Sequence, residues 1–181
     1  MSIVMYGLLI FITFCFLFLW YVTIYNKFQN YIIRINEAEA TIDKTLRKRF
    51  DLLNKSIGII KTNTDIKDEI FENIIKLRSK KLTNFELDRQ LYEGINEFEK
   101  IKEENSQLKD CDNFIKIELN LNESEAEIIA SRKYYNDIIT DYNKEVRTFP
   151  ANIIAKLCNY KQKTYFDGKN MNDNITNDFK L

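Results

Sequence analysis

The side chains able to do chemistry fall into four groups: a basic run, Lys44, Arg47, Lys48 and Arg49; the carboxylates Glu123, Glu125 and Glu127; the cysteines Cys15, Cys111 and Cys158; and an oxygen-rich tail, NMNDNITND, from Asn170 to Asp178. The basic run could hold anionic headgroups or a partner through Arg47, Lys48 and Arg49. The spacing favours pairing instead: Asp43 and Arg47 stand four apart, and the three glutamates can answer the cations across a helical bundle. Carboxylates two residues apart scatter around a helix and do not converge on a metal. The three cysteines are odd in number and far apart, which argues against a disulfide framework and against a zinc or redox motif. The tail resembles a calcium loop in its oxygens but lacks the hinge glycine and the terminal glutamate.

The chain has no histidine. Serine and cysteine triads, HExxH zinc sites and Glu-x-x-His di-iron pairs are therefore unavailable. Gly7, Gly58, Gly94 and Gly168 are too dispersed for a phosphate-cradling loop. With 27 basic against 27 acidic residues there is no excess of positive charge to favour nucleic acid. The expectation is a protein without catalytic activity, cofactor or metal.

The elements that must position these residues are helices, because four glycines and one proline in 181 residues supply too few turns for a sheet fold. From Ile3 to Ile24 no side chain is charged. About 22 residues at ~1.5 Å rise cross roughly 33 Å of hydrocarbon, so the run reads as a transmembrane helix, not as a shorter cleaved signal. Trp20, Tyr21 and Tyr25 suit an interfacial aromatic belt. No Lys or Arg precedes the span, whereas Lys27, Arg34 and Lys44 follow it. By the positive-inside rule the N-terminus is outside and the body in the cytoplasm.

Beyond the span, Phe28, Ile32, Ile35, Ile42, Leu46, Leu53, Ile57 and Ile60 continue one helix to about Thr62. Asp65 is placed to cap a second segment over 66–103, with Asp68 at its third position; that segment falters near Thr83 and is one helix or two. Glu103–Asp112 reads as a polar connection, and Asp112 can cap a third helix. There Phe114, Leu121, Ile128, Tyr135, Tyr142 and Phe149 recur at intervals of seven. Such a row predicts packing against neighbouring helices with a gentle left-handed supercoil. Asn136 and Asn143 each follow a seam tyrosine at the border of that stripe, where an amide can bond a neighbouring helix or a second copy of the bundle. Ala151–Leu157 suggests a short closing helix, and from about Asp167 the tail is expected to be loose.

Several stretches together resemble the LemA family, bacterial membrane-anchored helical proteins. They are YN at Tyr25-Asn26, EAEATID at Glu37–Asp43, LRKRFDLL at Leu46–Leu53, FENIIKLRS at Phe71–Ser79, LKDCDNF at Leu108–Phe114, SRKYYNDIITDYNKEVRTFPANIIA at Ser131–Ala155 and YF at Tyr165-Phe166. Where that family usually carries Trp after Glu-Ala, this chain has Glu39. Glu39 lies on the apolar seam of the first helix, between Ile32, Ile35 and Ile42, so either the helix is exposed there or the carboxylate is paired. The resemblance implies a membrane location and a bundle, and it brings no catalytic residues.

The sequence thus predicts an all-α protein, an N-terminal transmembrane helix continuing into a long antiparallel three- to four-helix bundle, with an anchor over 1–25, a bundle over 26–160 and a polar tail over 161–181. The expected role is a single-pass scaffold of the bacterial inner membrane that self-associates or holds a membrane protein partner. The alternative is a regulatory or sensor subunit of a membrane-embedded enzyme such as a protease.

Overall fold

The computed structural model describes residues 2–63, 69–77 and 82–166. The described residues form six helices, α1 (Ser2–Asn63), α2 (Glu69–Lys76), α3 (Asn84–Glu104), α4 (Ser106–Lys109), α5 (Asp112–Arg147) and α6 (Ala151–Leu157), and no strand. The expected cap at Asp65, with Asp68, and the tail from Asp167 lie outside the described residues. The described residues divide into two compact units, one formed by the segments up to Glu37 and over 135–165, the other by the segment 38–134 with Phe166. Each is a helical assembly with its own core.

In the first unit, antiparallel turns of α1 and α5 face each other. Phe28 meets Tyr142 edge-on at 5.9 Å between ring centroids, and Tyr31 meets the same ring at 6.4 Å. Ile35, Ile138 and Ile139 are buried beside them. α6 packs through Ala151, Ile154 and Ala155. Its end is set by Asn159 at φ 56°, a left-handed conformation that Asn tolerates better than most residues. The Asn159 and Tyr160 amides return to the Lys156 and Ala155 carbonyls at 3.3 and 2.8 Å, a Schellman closure. That reversal delivers Tyr160 to Phe28, 4.9 Å between centroids.

The second unit surrounds the rest of α1 with α2, α3, α4 and most of α5. Ile42, Leu46, Leu53 and Ile60 of α1 are all at or below 1% exposure, so the predicted stripe is the core. The segment over 66–103 is two helices. Thr83 opens α3 with a reciprocal capping box: the Glu86 amide donates to Thr83 Oγ1 at 3.2 Å, and the Thr83 amide to Glu86 Oε2 at 2.9 Å. Gly94 lies on the buried face of α3, where an added Cβ would stand 2.9 Å from Leu53 Cδ2 and 3.2 Å from Ile74 Cδ1. A helix interior disfavours Gly by about 1 kcal/mol relative to Ala, and this close approach is the physical reason for it here. Phe98 stacks on Phe114 at 4.4 Å.

Three expectations need correction. Glu103–Asp112 is not a purely polar connection, because it contains α4 and Leu108 is fully buried. Asp112 is the first residue of α5 and not its cap; the Ile115 amide bonds the Cys111 carbonyl at 3.0 Å. Its carboxylate in the first turn still complements the helix dipole. Phe149 is not the last member of the seam. The row is buried from Phe114 to Tyr142, but α5 ends at Arg147, so the next step of seven falls off the helix and Phe149 is 79% exposed.

Candidate functional site

The second unit holds charge inside its core. Arg49 of α1 follows Ile42 by seven residues and precedes Leu53 by four, which puts it on the buried stripe, and it is 2% exposed. Its Nη1 donates to Glu125 Oε2 of α5. Asp88 of α3, 5% exposed, accepts from Arg132 Nη2 of α5. The Arg132 guanidinium also lies over the Phe166 ring at 5.7 Å, and Phe85 meets Phe166 edge-on at 5.9 Å. The cluster thus joins α1, α3 and α5 through two cations and two anions. Burial pushes the Asp88 carboxyl above the ordinary carboxylate range. The positive fields of Arg132 and Arg49 oppose that push, and the negative field of Glu125 adds to it. Nε of Arg49 and Nε of Arg132 are buried without an acceptor among the described residues.

Neither a nucleophile with its base nor a pair of converging carboxylates is present in this arrangement. What it can do is fix one register among three helices, since a shifted pairing would strand a charge in a poorly solvated place. It also makes the core responsive to the protonation of Asp88.

Around the cluster the sequence-predicted residues divide. Arg47 Nε bonds Asp43 Oδ2 at 2.7 Å, an i,i+4 pair on an exposed surface. Lys48 Nζ bonds Glu127 Oε1 at 3.1 Å. Pairing of the basic run with the glutamates is therefore present, while Glu123 is exposed. Arg49 departs from the rest of the run, being a core residue and not part of a solvated face. Glu39 is exposed and lies off the seam, because Ala38, one residue earlier, takes the seam position at 2% exposure.

In the first unit Asn143 is 8% exposed and clamps the C-terminal segment. Its Nδ2 donates to the Lys163 carbonyl and its Oδ1 accepts from the Lys163 amide, both at 2.8 Å. This two-point bond stays within the chain. Asn136 is half-buried on α5. Gln29 Nε2 donates to Tyr160 Oη at 2.7 Å, and Lys27 pairs with Glu145 at 2.5 Å.

Sequence reasoning did not single out Asp88 or Arg132. A signal was available: Asp88 stands three residues before Leu91 and ten before Phe98, and Arg132 lies between Ile128 and Tyr135 at helical spacing. Two opposite charges, each placed on an apolar stripe of a different helix, indicate a buried pair.

The apolar run at the start of α1 is a further surface. From Ile3 to Leu19 the large apolar side chains are exposed, and this helix alone among the described residues is long and apolar enough to cross a membrane. A family model described as the LemA family matches residues 38–179. No curated protein matches the chain.

Proposed function

The chain belongs to the LemA family, and from that premise we propose that it is a single-pass membrane-anchored scaffold, without catalytic activity of its own, that organises other proteins at the bacterial inner membrane. The observation that carries the anchor is the exposure of the whole Ile3–Leu19 run. Water would penalise that surface by roughly 25 cal/mol per Å², and a bilayer removes the penalty. α1 continues without interruption to Asn63, so the helix that enters the lipid also supplies core residues to the second unit. Lys27, Arg34 and Lys44 after the run, with none before it, favour a cytoplasmic body. The polar core specifies a single helix register, which suits a rigid platform more than a turnover site.

The test is crosslinking in intact cells, followed by mild detergent extraction and identification of what is captured. The scaffold reading expects copies of this chain or a membrane protein partner in a stable complex. A monomer with no captured partner overturns it, as does a defined turnover lost on substituting a single polar residue. A reporter fused after Leu181 should be active only if it functions in the cytoplasm.

A further inference from the structure

α6 has two apolar faces, and only one of them is covered. Ala151, Ile154 and Ala155 are buried, whereas Ile153 is 44% and Leu157 73% exposed, and Phe149, in the turn before α6, is 79% exposed. Ile153 and Leu157 stand four apart and so share one side of α6, and Phe149 is exposed in the turn just before it. Isolated apolar residues on a surface need no explanation, but a contiguous row does.

Two further observations say what covers it. Cys158, which ends α6, has its Sγ 3.8 Å from Tyr21 Oη. Tyr21 belongs to the last turn of the uncharged run, so the end of α6 stands at the depth where that run leaves the hydrocarbon. The charge around α6 is also one-sided. Between Val146 and Phe166 the chain carries Arg147, Lys156, Lys161 and Lys163 and no acidic residue, although the whole chain is balanced at 27 against 27. Arg147, Lys156 and Lys161 are exposed. An apolar row flanked by cations at the water boundary is the chemistry of an interfacial helix on an anionic leaflet.

We propose that Phe149, Ile153 and Leu157 insert into the interfacial region of an anionic bilayer, making α6 and the turn before it a second, shallow contact with the membrane that α1 spans. The proposal rests on the anchor reading above. It assigns a lipid-facing role to the segment after Pro150, which the sequence presented only as a closing helix.

The test uses the full chain in vesicles of phosphatidylcholine and phosphatidylglycerol, with the single native tryptophan removed by Trp20→Phe. Phe149→Trp in that background should give blue-shifted emission that is quenched by lipids brominated high on the acyl chain. Ile10→Trp in the same background reports the anchor and should be quenched by lipids brominated near the chain ends. Substituting both Lys156 and Lys161 by Glu should reduce quenching at position 149 and leave it unchanged at position 10. If position 10 is quenched and position 149 emits as a solvated indole, the α6 contact is wrong and the anchor stands. Blue-shifted emission at position 149 without lipid quenching means that protein covers the row, a second copy included, and also overturns the proposal. If position 10 itself escapes quenching, the anchor reading fails and the α6 contact fails with it.

Discussion

The two units are built from the same two long helices yet are cohesive for different reasons. In the unit formed by residues 1–37 and 135–165, the interior is aromatic and its polar bonds are neutral: Phe28, Tyr31, Tyr142 and Tyr160 for the rings, Gln29 to Tyr160 and Asn143 to Lys163 for the hydrogen bonds. Its cross-helix ion pair between Lys27 and Glu145 is partly exposed. In the other unit the core admits Arg49 and Asp88 at 2% and 5% exposure. The contrast follows dielectric logic. On the proposed anchor reading, the unit that carries the apolar run borders the least polar medium a protein meets, where a buried charge is most expensive, and phenols and amides supply directionality at lower cost. A unit surrounded by water can recover part of the cost of a buried ion through its half-exposed partners.

The comparison can be broken most forcefully at Tyr142, which is 2% exposed and touches two aromatic rings of α1. Tyr142→Ala should cost about 3 to 5 kcal/mol. Hydrogen exchange should show the loss in residues 135–147 first, and protection of α3 that falls equally would mean the units share one core.

Next comes the ionic cluster. Arg132→Met leaves Asp88 buried opposite a thioether and should cost about 3 kcal/mol at neutral pH, read from urea unfolding. Because the Asp88 carboxyl is already raised by burial, the folded chain holds its proton where the unfolded chain has released it. Its contribution to stability is therefore complete below the ordinary carboxylate value of about 3.9 and is lost as pH rises through the raised value. Arg132→Met should raise that value further, so its cost should shrink as the pH is lowered. Asp88→Asn should remove this part of the pH dependence. A cost for Arg132→Met that does not change with pH would show that Arg132 acts by packing on Phe166 alone.

A smaller effect belongs to the amide clamp. Asn143→Ala removes two hydrogen bonds and should cost about 2 kcal/mol. Exchange of the Lys163 amide should accelerate well before that of α6. The weakest effect is expected at Lys27→Gln. With Lys27 half exposed, the pair should be worth less than about 1 kcal/mol and should fade with added salt. The order of these four effects sharpens the contrast, since the first unit should lose most from a ring and least from a charge.

Most of this architecture was legible because periodicity reports burial directly. The α1 stripe ran to Thr62 by spacing and the helix ends at Asn63; the row of sevens from Phe114 to Tyr142 is buried throughout. Pairing of the basic run with Glu125 and Glu127 was also readable, because opposite charges at fixed intervals have few other partners in a bundle. The failures share a cause. Asp88 and Arg132 were passed over because a charge on a stripe reads as an interruption until its counterpart on another helix is known. Phe149 was assigned to the seam because a periodic rule cannot report that the helix stops at Arg147. Leu108 lay in a polar stretch, where one apolar residue carries no period at all.

The pairing of residues 1–37 with 135–165 also has a consequence for the order of assembly. The contact between Tyr21 and Cys158 spans 137 positions of chain, and closing such a loop is slow compared with forming local helix pairs. During synthesis, α1 through most of α5 are complete before Cys158 or Tyr160 exists, so the second unit, Phe166 apart, has all its helices available first. Phe28 and Tyr31 must wait for Tyr142 and Tyr160 to emerge. The segment of the molecule that is made first is the last to find its partners.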